Sequence, residues 1–292
     1  MERNVGCRQV EVTDTGRFPV LPMAMLYPTL APAAPMRFGP YPLEAARDAP
    51  PSGEHLSLVL VSHGSGGSPW TFRHLAASLA LAGYVVGLPE HLGNCRTVDS
   101  LAGSFMNLEN RPRQLRRATD AAFADPVLGP RLLPEQVAVI GHSIGAYTAL
   151  AIAGGRPVAG PHDTDEGRPV PVEPDPRVQG LVLLAPATPW FLQEGSLAAV
   201  RVPILLRTGE QDRITPAWHA GLILRDAEDP GRIEHRVVPG AGHFSFMSPF
   251  PPELNRPGFP PAQDPEGFDR AGYQLILATD ILRFLGKRCF GR

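Results

Sequence analysis

The 292-residue sequence predicts an α/β chain, with a mostly parallel central sheet flanked by helices. Three observations carry that expectation. Short continuous apolar runs (LSLVLVS, YVVGLP, QVAVIG, GLVLLA and VPILLR) read as strands buried on both faces. Stretches with helical periodicity separate them. Polar, Gly-rich turns follow several of the runs, which is where an open parallel sheet collects its ligand-binding groups.

Taken in order, VGCRQVEVTD and RFPVLPMAMLYP read as two opening strands. Prolines interrupt the second, which predicts a sheet edge. TLAPAAPMRFGPYPLEAARDAPPSG reads as a long Pro/Ala loop. Strand 56–62 leads through HGSGGS to a helix around PWTFRHLAASLALAG, with Pro69 near its first turn and Gly83 at its end. Strand 84–90 and the connection HLGNCRTVDSLAGSFMNLEN lead into a helix near RPRQLRRATDAAFAD, whose arginines read as a solvated face. QVAVIGH is the third buried strand, and AVIGHSIGAYTALAIAG runs it into a small-residue helix. Strands follow at 180–186, 202–209 and 232–240, with helical segments near 190–199 and 216–227 and a last helix over 267–287. No internal repeat or clean linker interrupts the chain. One domain is therefore expected over 1–292, with Pro/Gly-rich loop insertions at 154–178 and 248–266. The first insertion reads as an ordered surface loop and a candidate pocket wall.

Composition excludes several classes of function. The 27 basic and 29 acidic side chains nearly cancel, leaving no footprint for nucleic acid or an anionic membrane surface. No apolar run reaches the roughly 18 residues needed to span a bilayer. The start, MERNVGCRQVEV, lacks the apolar core of a secretory signal, so a cytoplasmic location is expected. Cys7, Cys95 and Cys289 are odd in number and show no metal-ligand spacing, so neither a disulfide framework nor a metal is expected. Oligomeric state is not written in these features.

Four polar stretches sit just past predicted strands: His63-Gly64-Ser65-Gly66-Gly67-Ser68, Gly141-His142-Ser143-Ile144-Gly145, Gly209-Glu210-Gln211-Asp212 and Gly240-Ala241-Gly242-His243. A serine is a weak nucleophile until a base lies within hydrogen-bond reach, and that base needs an acid to fix its tautomer. Ser143, Asp212 and His243 supply these groups in the order nucleophile, acid, histidine. Gly141 and Gly145 flank Ser143 where a sharp strand-to-helix turn leaves no room for side chains. That turn sets the Ile144 NH at a helix N-terminus, where negative charge is favoured. A second donor is expected from the Gly-rich turn, the Ser65 NH first and the Gly66 NH as fallback. Glu210 and Asp99 are alternatives to Asp212. His142, His63 and His91 compete with His243, but His142 is expected to point away from Ser143 and His63 to brace its turn. Trp70, His91, Trp190 and Phe244 are candidate pocket walls or substrate contacts.

HGSGGS, GHSIG, GEQD and GAGHF together resemble the α/β-hydrolases. Within them the chain is similar to the serine-dependent, predicted dienelactone-hydrolase and platelet-activating-factor-acetylhydrolase-like esterases. The likeness extends to TGRFPVLPMAMLYPT, to LVSHGSGGSPWTFRHLAASLALAGYVVGLPEHLGN and to RPRQLRRATDAAFADP, and is weakest over 154–178 and 248–266. True dienelactone hydrolases carry a cysteine nucleophile where this chain has Ser143, so their lactone chemistry does not carry over. The resemblance implies an α/β-hydrolase fold with loop insertions in place of a large helical cap. It also implies cofactor-independent cleavage of a small-molecule carboxylic ester, small to medium and partly apolar, through an acyl-enzyme. The same groups would serve an amidase or peptidase, a thioesterase or an acyltransferase. A non-catalytic binding protein of this fold would be expected to lose one of the three groups.

Overall fold

The computed structural model describes residues 3–14 and 18–291; residues 15–17, at the entry to the predicted second strand, lie outside the described residues. Among the described residues ten strands form one sheet: β1 (Asn4–Asp14), β2 (Phe18–Thr29), β3 (Ala34–Phe38), β4 (Tyr41–Arg47), β5 (Leu56–Ser62), β6 (Val85–Pro89), β7 (Leu132–His142), β8 (Val178–Leu184), β9 (Ile204–Gly209) and β10 (Ile233–Val238). Their order is β10-β9-β8-β7-β5-β6-β2-β1-β4-β3. The six strands from β10 to β6 are mutually parallel, and β2 joins them antiparallel. Helices α1 (Arg73–Leu81), α2 (Phe105–Ala124), α3 (Ile144–Ile152), α4 (Trp218–Arg225) and α5 (Arg270–Phe284) cover the two faces.

The apolar runs are continuous because both of their faces are buried. Leu58, Leu60, Val137, Val139, Leu181 and Leu183 pack with α2, α3 and α4. Their neighbours Val59, Val61, Ala138, Ile140, Val182 and Leu184 pack with α1 and α5 on the opposite face. From β5 the chain goes first to β6 on one side and then returns to β7 on the other. The carboxyl ends of β5 and β7 thus flank the point where the winding reverses, where such sheets open a crevice.

Four expectations are corrected. The Pro/Ala stretch is a hairpin, β3 and β4, turning at Gly39 with φ 60°. Its buried Tyr41, Leu43 and Ala45 alternate with exposed neighbours, a period of two hidden by prolines. β2 is an interior strand: Pro22 and Pro28 flank Met23–Leu26, the segment paired to both β1 and β6, so neither ring removes a donor from the doubly paired run. Segment 190–199 is a short 3-10 turn, Pro189–Phe191, followed by turns, broken by Gly195 at φ 72°. Helix α2 starts earlier than predicted and runs through Pro112, whose missing NH leaves the Leu108 carbonyl without its helical donor; the Tyr147 hydroxyl supplies one at 2.9 Å.

The 154–178 insertion is ordered, but against α2. Thr164 Oγ1 accepts from the Phe105 NH at the start of that helix, and Asp163 accepts from the Trp190 indole at 2.6 Å. Among the described residues no helix is long and apolar enough to cross a membrane.

Candidate active site

Ser143 follows the last residue of β7 and precedes the first of α3, with φ 55° and ψ −123°. A non-glycine residue there is strained, and the surroundings must hold it. Its NH donates to the Leu184 carbonyl at 3.1 Å, and its own carbonyl accepts from the NH groups of Ala146 and Ala187. The flanking glycines are steric requirements. A Cβ on Gly141 would strike the Gly145 carbonyl, and one on Gly145 would strike the Ser62 carbonyl at the end of β5. Backbone atoms cannot rotate away, so Gly145→Ala is expected to cost at least about 3 kcal/mol, the upper end of core overpacking. Urea unfolding checks this, and an unchanged midpoint would refute it.

Asp212 sits in the turn after β9, only 7% exposed, with its NH bonded to the Gly209 carbonyl. Its Oδ1 accepts from the NH groups of Ile214 and Thr215 at 2.9 and 2.8 Å. Oδ2 accepts from Thr215 Oγ1 at 2.7 Å and lies 2.9 Å from His243 Nδ1. Burial alone would raise this carboxyl, but the hydrogen bonds from His243 and Thr215 outweigh it and hold the group below its ordinary value. It is therefore a carboxylate at neutral pH. His243, 6% exposed, follows β10 through Gly240, and Thr215 Oγ1 lies 3.1 Å from the same Nδ1. With Nδ1 taken, Nε2 is the nitrogen left for a base. Among the described residues no hydrogen bond joins the Ser143 hydroxyl to His243; both line one cavity, and such contacts tighten when substrate binds.

The competing groups are engaged elsewhere. Glu210 accepts from the Gly240 NH, and Asp99 from Asn94 Nδ2. His142 Nε2 donates to the His243 carbonyl at 2.9 Å, which leaves its buried Nδ1 without a partner among the described residues. His63 Nδ1 donates to the Gly64 carbonyl, and its Nε2 accepts from the His91 NH. His91 lies behind the site, between Ser62 Oγ at 2.8 Å and Gln114 Oε1 at 3.1 Å.

The cavity holds about 230 Å³ and is bordered by Ser143, His142, His243 and the 64–68 turn. Ser65 and Gly66 both line it. The Ile144 NH opens α3, where first-turn NH groups have no helical acceptor and complement negative charge. Tyr41, Ile214, Phe244, Met247, Phe250 and Phe259 form its apolar walls. Of the four pocket residues predicted, the structure puts Phe244 there and the other three elsewhere. Trp70 stacks on Phe38, His91 is fully buried, and Trp190 packs on Tyr147 and the 154–178 segment. The wall expected from 154–178 comes instead from 248–266 and the β3–β4 hairpin. Buried Arg73 and Arg270 fasten the former, donating to the carbonyls of Pro249 and Pro261. The aromatic content of 248–266 was the available signal for its role; Tyr41 gave none.

A larger groove, about 550 Å³, runs along α2 past Arg113, Arg116 and Arg117. Those arginines pair with Asp14 and Glu173, and none of the three candidate groups lines it. Among the described residues no group of three or more His, Cys, Asp and Glu side chains could hold a metal ion.

Residues 58–198 match the model of the alpha/beta hydrolase family. Two curated relatives are uncharacterized proteins of Mycobacterium tuberculosis, strains CDC 1551 / Oshkosh and ATCC 25618 / H37Rv. Each is 28% identical over 214 residues, covering 66% of this chain and 64% of the relative. A ferulic acid esterase from Streptomyces cinnamoneus superposes with a TM-score of 0.69 at 19% identity, over 99% of this chain and 91% of that one. A dienelactone hydrolase-like promiscuous phosphotriesterase from metagenomic libraries gives 0.63 at 15% identity, over 98% and 99%. Sheet order, the family match across β5 to β8 and these likenesses agree: the chain has the α/β-hydrolase fold.

Proposed function

We propose that the chain is a serine esterase that cleaves a small, partly apolar carboxylic ester through an acyl-enzyme. The observation that carries this reading is the buried Asp212–His243 pair, bonded at 2.9 Å, on the same cavity as Ser143 in its strained turn. In the proposed reaction Ser143 Oγ attacks the ester carbonyl and passes its proton to His243 Nε2. Asp212 stays ionised and stabilises the imidazolium through Nδ1–H. The tetrahedral oxyanion is held by the NH groups of Ile144 and Ser65, with Gly66 as the alternative to Ser65. Collapse breaks the ester C–O bond; His243 protonates the leaving alkoxide, and Ser143 keeps the acyl group. Water then gives a proton to His243 and attacks the acyl carbonyl, releasing the acid and restoring Ser143.

The cavity, at about 230 Å³, lies below the roughly 300–1,000 Å³ usual for drug-sized ligands and favours short acyl and alcohol groups. Its aromatic walls favour a flat ring on one of them, which agrees with the ferulic acid esterase likeness. We expect a fluorophosphonate to add one phosphonyl group to Ser143, located by peptide mass spectrometry. We also expect 4-nitrophenyl acetate to be hydrolysed. Failure of both would sink the proposal and leave a non-catalytic binding role. A matched panel of ester, thioester, anilide and lactone would separate esterase from thioesterase, amidase and lactonase readings.

A further inference from the structure

The arginine stretch on α2 contains one member that is not solvated. Arg111 has no exposed surface, and among the described residues no carboxylate lies within ion-pair distance of it. Its donors go to neutral oxygens on three separate segments. Nε reaches Thr148 Oγ1 at 3.1 Å, on the nucleophile-bearing helix α3, where Thr148 also bonds the Ile144 carbonyl. Nη2 donates to the His63 carbonyl, the first residue past β5, with Ser62 Oγ at 3.5 Å. Nη1 reaches Asn94 Oδ1 at 2.7 Å, and the Asn94 amide donates onward to Ser65 Oγ at 2.8 Å and Asp99 Oδ1 at 2.6 Å.

We infer that Arg111 is a positioning residue for the oxyanion side of the site, a rigid fork that locks the 62–65 turn against the start of α3. This inference rests on the esterase reading above. Burying a charge without a carboxylate partner is costly, and neutral side chains could fill the same space more cheaply. A planar guanidinium instead offers five donors in fixed directions, enough to set the spacing between two NH groups on different elements. Burial draws its pKa down to about 9, which still leaves it charged at neutral pH. Proximal NH donors matter most when charge develops on the carbonyl oxygen, so the effect belongs in kcat more than in KM.

The test compares wild type, Arg111→Gln and Asn94→Ala, with kcat taken per folded molecule from unfolding curves. Arg111→Gln is expected to lower kcat on 4-nitrophenyl acetate by about 10- to 100-fold, the size of a displacement near 1 Å, with KM within about threefold. Affinity for phenylboronic acid, which presents a tetrahedral oxygen to the same donors, is expected to weaken by a similar factor. Asn94→Ala cuts the link to Ser65 without vacating the arginine's place and is expected to give a smaller loss of the same kind. It decides the matter if Arg111→Gln does not fold. Unchanged kcat and boronate affinity in the folded variant, with only a lower melting temperature, would overturn the positioning role alone. A wild type inert to every ester and to the fluorophosphonate would overturn the esterase reading and this inference together.

Discussion

Ser143→Ala, His243→Ala and the double variant are expected to lower kcat for ester hydrolysis by the same factor, about a million-fold. The equality is the test. If Ser143 attacks only when His243 accepts its proton, removing either group removes the step, and removing both costs nothing more. Asp212→Asn is expected to fall less, by about 10,000-fold, because an amide still fills the turn but presents its NH₂ to the ring and favours the wrong tautomer. The loss should lie in kcat, since none of these groups lines the apolar walls that bind the rest of the substrate. A double variant much slower than either single one would show that the two residues act independently, and the proposed mechanism would fail. Single-turnover measurements with an activated ester give the required numbers.

The second large effect concerns acid stability. His63, His91 and His142 are at most 1% exposed. Burial, aided by the positive charge of Arg111 beside the first two, lowers His63 to about 3 and draws His91 well down; burial next to His243 lowers His142 to about 3. In the unfolded chain each imidazole regains its ordinary value of 6.5. The unfolded state therefore binds more protons below that pH, and stability falls as the solution is acidified from about 6.5 towards 3. At pH 5 His63 and His142 each contribute a loss of about 2 kcal/mol, about 4 kcal/mol together, and His91 adds a loss of the same sign. That approaches the lower end of the whole stability of many domains, about 5–15 kcal/mol. Asp212, whose folded pKa is depressed, adds a separate loss only below about pH 4, as it becomes protonated. Urea unfolding at pH 7.5 and pH 5 measures the histidine effect. A difference under about 1 kcal/mol would contradict it.

The sites of Ser143, Asp212 and His243 were legible because each lies in a short local pattern. GHSIG sits between an apolar strand and a small-residue helix, and the glycines are demanded by backbone contacts within a few residues and one adjacent strand. GEQD and GAGH follow strands whose apolar runs announce them. The expectations that failed depended on partners distant in sequence. Nothing within RPRQLRRATD separates Arg111 from Arg113, Arg116 and Arg117; their helix is the same, and only the neighbours differ. Trp190 follows a strand end as Phe244 follows the His243 turn, yet Asp163 turns its indole towards the insertion. Tyr41 reaches the cavity because the hairpin that carries it is laid against 248–266, with Tyr41 on Phe250 and the Arg37–Glu253 pair joining the two segments.

The sequence by itself determined the parallel sheet, the turn that presents Ser143 and the chain order of the three candidate groups. Periodicity and glycine sterics act over a few residues and leave their mark in contiguous sequence. Only the tertiary structure decided which loop walls the cavity, which histidines are locked neutral and which arginine is buried. Those outcomes depend on which side chains from remote segments share one excluded volume. No local pattern records that.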